Sequence, residues 1–228
     1  MRFADAAKDG RAVVYAGIQA DPLVARAAGL LADAGPAERL LARAAMNGES
    51  TDPTVWLTMF PTLFGPGVDA VTRDRAEAVL SVALQVADRG EQVRSQFRGA
   101  IVEELTAVLL ARRVGAAAVR RERRIQFDGV RAEIHPYDVT VERDGAPEAF
   151  DCKWGARGIN ADVLHQLDDA RSHAADEDVA LPVALVVFDA ERSCRVRLDR
   201  QTAPFAETTL VTLESLDTLA GHASREAT

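Results

Sequence analysis

The stretch YDVTVERDGAPEAFDCKWG, residues 137–155, decides how this chain is read. Residues 137–143 alternate and are rich in β-branched side chains, and residues 148–155 read as a second strand. Between them Asp144-Gly145 is a strong signal for a two-residue hairpin loop. With those two residues as the loop, Arg143 pairs with Ala146, and counting outward sets Asp138 opposite Asp151. Lys153 lies two positions beyond Asp151 and so points to the same face, whereas Cys152 points to the other. Two carboxylates and an ammonium are thereby expected on one side of a sheet. Like charges set opposite each other on neighbouring strands repel. A cation between them removes the penalty, and hard oxygen ligands of this kind suit Mg²⁺, with Mn²⁺ able to substitute.

The lysine carries its own signal. All but two of the 27 basic residues are arginine, the exceptions being Lys8 and Lys153. Where a generic positive charge suffices, this chain uses arginine. A lysine beside a metal site can orient or deprotonate a water, or neutralise charge on an attacked phosphate. Its pKa is adjustable where that of arginine is not. The plain alternative is an ion pair between Asp151 and Lys153 along one strand face.

Outward from the hairpin the pattern is regular. Residues 91–115 read as one long helix, and residues 118–128, AVRRERRIQFD, as an arginine-loaded strand. After the hairpin comes a helix opening at Asn160, a plausible N-cap. PVALVVFDA, residues 182–190, is a continuous apolar run expected of a strand buried on both faces. The tail suggests short strands near RSCRVRLD and TTLVTL and a final short helix. Residues 1–90 read as helical, broken by a turn-rich connection from Asp52-Pro53 to Gly65-Pro66-Gly67 in which Trp56, Phe60 and Phe64 are expected as core plugs. The expected fold class is mixed α/β: a helical N-terminal part, 1–90, as an accessory module, followed over 91–228 by a mixed β-sheet flanked by helices.

Pro136-Tyr137-Asp138 followed by Asp151-Cys152-Lys153, within a helix–strand–strand–strand–helix–strand order, resembles the PD-(D/E)xK, or restriction-endonuclease-like, nuclease superfamily. The likeness covers about residues 91–190. One departure is that Tyr137 separates the proline from the aspartate. The resemblance implies that Asp138 and Asp151 bind Mg²⁺, that Lys153 helps activate the water, and that an acid on the preceding helix adds a metal contact. Helical phase separates the two acids available there. Ile101, Val102, Leu105, Val108 and Leu109 define an apolar stripe centred near Leu105. At about 100° per residue Glu104 falls at the edge of that stripe and Glu103 on the opposite side, so Glu104 is the expected helix acid.

Arg112, Arg113, Arg120, Arg121, Arg123 and Arg124 precede the hairpin with only Glu122 to oppose them. Arg120, Arg121, Arg123 and Arg124, with Arg157 just after the lysine, are candidate phosphate contacts. Gln166, on the helix after the second strand, is a further candidate substrate contact. Trp154 suits either base stacking or the core, and His165 reads as an ordinary helix histidine. The four histidines and two cysteines lack zinc-site spacing, and no phosphate-cradling P-loop is present.

The formal charge of −8 argues against a polybasic nucleic-acid coat but not against a local basic surface. Apolar runs fall short of a membrane span. The opening MRFADAAKDGRAVVYAG carries acids where a secretory signal needs a basic start and an apolar block. A cytoplasmic location is therefore expected, with no membrane partner. The expected activity is metal-dependent endonucleolytic hydrolysis of phosphodiester bonds, in DNA rather than RNA, with restriction or anti-phage defence as the role the resemblance implies. The expected partners are nucleic acid, a second copy of the chain, and a protein that delivers or activates it. The alternative is a catalytically inactive nuclease-fold module that docks nucleic acid or a protein.

Overall fold

An aspartate cap followed by proline starts two of the helices of this chain, after Asp21 and after Asp52. In the computed structural model, which describes residues 1–6, 10–48, 50–129, 136–203, 205 and 208–221, the backbone forms two compact units. One spans Gly10–Leu105; the other comprises Met1–Asp9 with Thr106–Thr228.

The first unit is helical: α1 (Gly10–Gln19), α2 (Pro22–Ala32), α3 (Pro36–Asn47), α4 (Pro53–Met59), α5 (Pro61–Phe64), α6 (Ala70–Ala87) and the first part of α7 (Glu91–Val114). Asp21 and Asp52 cap α2 and α4 by accepting from Leu23 and Thr54 N–H groups, each with proline in the first turn, where its missing donor costs nothing. Asp69 caps α6 through the Thr72 N–H, and that bond holds its carboxyl below the usual carboxylate range. The core of this unit is mainly apolar, with Val24, Leu31, Leu41, Met46 and Val86 buried, and it also encloses Glu38 and Arg39. Trp56 and Phe64 are buried as expected, and Phe60 is half-buried.

The second unit is built on one mixed sheet, in the order β1 (Arg2–Asp5), β2 (Val119–Gln126), β3 (Tyr137–Val141), β4 (Glu148–Lys153), β5 (Val183–Val187) and β6 (Thr209–Val211). β1 through β4 are antiparallel neighbours, and β4, β5 and β6 run parallel. Parallel neighbours need crossovers. α8 (Ala161–Asp176) supplies the first and α9 (Glu191–Leu198) the second. Every residue of β5 is buried, as its continuous apolar run predicts. Tyr137, Leu164, Leu167, Val183 and Leu185 form part of one cluster between sheet and α8. Asn160 caps α8, its Oδ1 accepting from the Val163 N–H at 3.1 Å. Asn160→Ala is expected to cost about 1 kcal/mol, read as a lower melting temperature without loss of the native fold.

Three expectations give way here. Residues 53–59 are helical, because an Asp-Pro pair that looks like a turn is also a cap followed by a first-turn proline. RSCRVRLD lies in α9 instead of a strand: Glu191 and Arg195 pair one turn apart, and only Cys194 is buried. β1 is a strand inside the part read as helical; four residues carry too little periodicity, and its partner β2 supplies the ladder. Residue 90 falls between α6 and α7, and the two compact units divide in sequence inside α7, between Leu105 and Thr106. Among the described residues, no helix is long and apolar enough to cross a membrane.

Candidate functional site

The hairpin closes as its sequence implies. The Ala146 N–H donates to the Arg143 carbonyl at 3.2 Å, and Gly145 takes the left-handed φ of 72° that the turn requires. Val141 then pairs with Glu148, Thr140 with Ala149 and Val139 with Phe150. This is the register that sets Asp138 opposite Asp151. The backbone ladder stops one pair short of that point. Instead, the Cys152 N–H donates to Asp138 Oδ2 at 2.6 Å, so a side chain replaces the strand carbonyl. On its other edge β4 is paired with β5 along its length, ending at Lys153 with Val187. Asp151 and Lys153 are thus fixed by an apolar neighbour strand, while Asp138 sits where β3 parts from β4.

The structure brings Asp138, Asp151 and Lys153 together. Lys153 Nζ is ion-paired with Asp151 Oδ1 and lies 3.9 Å from Asp138 Oδ2. Asp151 is only 6% exposed, and Asp138 and Lys153 are half-buried. Burial alone would push the Lys153 ammonium toward neutrality, but the charges of Asp138 and then Asp151 outweigh it. The net effect holds its pKa above the ordinary 10.5. Cys152 turns to the other side, its Sγ 3.5 Å from Thr106 Oγ1, as the strand alternation predicts.

A third carboxylate of this unit escaped the sequence reading. Arg121 pairs with Val139 and Arg123 with Tyr137, which places Glu122 across from Asp138. Glu122 has a φ of 52°, a left-handed conformation rare for a side-chain-bearing residue in a strand. One of its carboxylate oxygens lies within 4.8 Å of one from Asp138. The signal was present in RRERR, where a single acid interrupts four arginines.

The helix acids differ from expectation in their burial. Glu103, placed by phase away from the apolar stripe, is 5% exposed and accepts from Tyr15 Oη at 2.6 Å and Gln19 Nε2 at 2.8 Å. Glu104 is half-buried. α7 is buried on more than one side over this stretch, and the phase argument assumed a single buried face. Both acids belong to the helical unit.

The candidate substrate contacts separate into groups. Arg123 is committed within the sheet: its Nε donates to Glu142 Oε1 at 2.6 Å, and its guanidinium also pairs with Asp5. Arg120 is exposed, Arg121 and Arg124 are half-buried, and Arg157 is exposed on the 3₁₀ turn Ala156–Gly158. Gln166 is half-buried on α8, and its backbone carbonyl accepts from Tyr137 Oη at 3.2 Å. Trp154 stacks on buried Phe188 with ring centroids 5.0 Å apart, so one ring face is occupied. His165 is exposed.

No protein-family model matches the chain. No curated protein matches it either. Among solved structures, it is similar to the crystal structure of protein VC1899 from Vibrio cholerae, with 15% sequence identity and a TM-score of 0.45. The match covers 97% of this chain and 57% of that one, so this chain spans a little over half the length of VC1899.

Proposed function

We propose that this protein is a Mg²⁺-dependent endonuclease that hydrolyses phosphodiester bonds in DNA, with Asp138, Asp151 and Lys153 at its centre. One observation carries the reading: a chain with two lysines sets one of them against two carboxylates at the point where a hairpin ladder opens. A surface ion pair needs one acid and leaves the ladder intact.

The donor set fits a hard divalent cation. Asp138 and Asp151 would hold it, Glu122 offers a further carboxylate of the same unit, and Mn²⁺ would be accepted by the same oxygens. Glu104 stays in this proposal through the family resemblance alone. A divalent ion bound there would supply Lewis acidity toward a phosphoryl oxygen and a more acidic bound water. The chain's own contribution is charge and orientation. Asp138 is oriented by the Cys152 N–H. Lys153, held as an ammonium by its two partners, offsets negative charge developing on the attacked phosphate. Arg120 and Arg157, both exposed, are the candidates best placed by exposure to follow a phosphate backbone, and Arg121 and Arg124, half-buried, are the further ones. Arg123 supports the sheet instead, since Glu142 and Asp5 neutralise it.

The helical unit is proposed as the module for dimerisation or for a delivering or activating partner, in the cytoplasm, with defence against foreign DNA as the family-level role. The test is cleavage of supercoiled plasmid, linear duplex, single-stranded DNA and RNA with Mg²⁺, Mn²⁺ or EDTA, beside Lys153→Ala and Asp138→Ala. The expected result is metal-dependent cutting of DNA, abolished by EDTA and by both substitutions. Cutting that survives both substitutions would overturn the site. Absence of both cutting and metal binding by calorimetry would favour the docking-module reading.

A further inference from the structure

Lys153 is held from behind as well as from in front. A Cβ placed on Gly158 would stand 3.0 Å from Lys153 Cβ and Cδ and 3.1 Å from its Cγ. These distances are tighter than ordinary van der Waals contact, so a methyl group fits only if its neighbour gives by a few tenths of an ångström. The contact is with the base and middle of the lysine side chain, not its mobile tip. Neither wall yields readily. On the strand side, the Phe188 N–H donates to the Lys153 carbonyl at 2.8 Å, and β5 pairs with β4 through this residue. On the turn side, the Gly158 N–H donates to Gly155 and the Ile159 N–H to Ala156. Ile159 is fully buried, and Asn160 follows as the α8 cap. Asp189, 5% exposed, ties the same turn to the end of β5. Its Oδ2 accepts from the Ala156 N–H at 3.0 Å and its Oδ1 from the Ala190 N–H at 2.8 Å.

We propose that Gly158 is a positioning residue for Lys153: the Asp189-anchored turn forms a wall against the lysine stem, and only glycine lets that stem lie where its ammonium meets Asp138 and Asp151. A larger residue displaces Lys153 Cγ and Cδ, because both backbones are tied, Cβ is fixed with its backbone, and only the atoms beyond it have rotamers to change. The consequence for phosphodiester hydrolysis rests on the function proposed above; the positioning itself does not.

The two-lysine composition makes the test direct. The metal-free 228-residue chain labelled with ¹³C- and ¹⁵N-lysine gives signals from Lys8 and Lys153 only, and Lys153→Arg assigns them. In Gly158→Ala the Lys153 ε-methylene signals are expected to move while those of Lys8 stay in place. Melting temperatures of Gly158→Ala, Lys153→Ala and the double variant form a cycle. Its expected outcome is that Gly158→Ala lowers the melting temperature less when the lysine stem is already absent. An unmoved Lys153 signal in a folded Gly158→Ala protein, or strictly additive losses, would overturn the proposal. Should Gly158→Ala fail to fold, the double variant is expected to fold, and its failure would count against the proposal equally. None of these readouts needs metal or DNA, so a negative cleavage assay leaves the positioning intact, and a null result here leaves the nuclease reading intact.

Discussion

Lys153→Met is expected to slow metal-dependent DNA cleavage by about 10²–10³-fold, the usual cost of removing one preorganised electrostatic contact from a reacting centre. Methionine keeps most of the stem volume beside Gly158, so the change removes charge with little repacking. What remains is Asp151, almost fully buried, near Asp138 with no ammonium to offset them. That pair relaxes by taking up a cation. Metal binding is therefore expected to persist or tighten, and added Mg²⁺ to raise the melting temperature more in the variant than in the wild type. The pH dependence has a definite sign. The folded-state pKa of Lys153 is raised, so its stabilisation is fully present below the ordinary lysine value of 10.5 and is lost as pH rises through the higher folded value. The variant lacks that alkaline loss and shows a flatter stability profile above that range. Single-turnover cleavage with calorimetric metal titration separates the two effects. Unchanged cleavage in Lys153→Met would remove the lysine from the chemistry and reduce it to a counter-ion.

How far the residues alone revealed this site follows from which interactions are local. The hairpin was legible because a two-residue Asp-Gly loop sets its own register, and register sets which side chains meet. Asp138, Asp151 and Lys153 came together on that basis without any knowledge of the remaining sheet. The opening of the ladder at Asp138 was not legible, since it depends on a side chain capturing the Cys152 N–H. Glu122 was passed over for a similar reason. Its place across from Asp138 depends on the β2–β3 pairing, which joins strands with no short turn to fix the register. Glu103 was misplaced because helical phase assumes one buried side, while Tyr15 and Gln19 of α1 cover another. α9 was misread because Cys194, Val196 and Leu198 alternate, and short apolar alternation does not separate a strand from a helix with few buried residues. The arginine run showed the location of positive charge but not its use. Arg123 is consumed by Glu142 and Asp5, and Asp5 lies on the strand that was not foreseen.

Asp138 does two jobs that different substitutions pull apart. Its Oδ2 accepts the Cys152 N–H at 2.6 Å, a bond that closes the end of the β3–β4 ladder, and its carboxylate charge faces Lys153 and the proposed cation. Asp138→Ala removes both. It leaves a partly buried backbone donor without its acceptor, which costs about 1–3 kcal/mol, or several degrees of melting temperature for a chain of about this size. Asp138→Asn keeps an oxygen able to accept the same N–H and is nearly isosteric, so its stability is expected to stay close to that of the wild type. Its neutral amide is a poor ligand for a hard divalent cation beside one remaining carboxylate. Both variants are therefore expected to lose metal-dependent cleavage, by about 10²-fold or more, and only alanine to lose stability as well. Thermal unfolding with calorimetric Mn²⁺ titration reads the two outcomes in one preparation. If Asp138→Asn binds Mn²⁺ as tightly as the wild type and cleaves at the same rate, Asp138 is a strand-closing residue alone, and the cation, if there is one, belongs to Asp151 and other acids. If both variants are inactive but only alanine is destabilised, one carboxylate serves as both ladder cap and metal ligand, and the geometry that opens the sheet at this point is the geometry that builds the site.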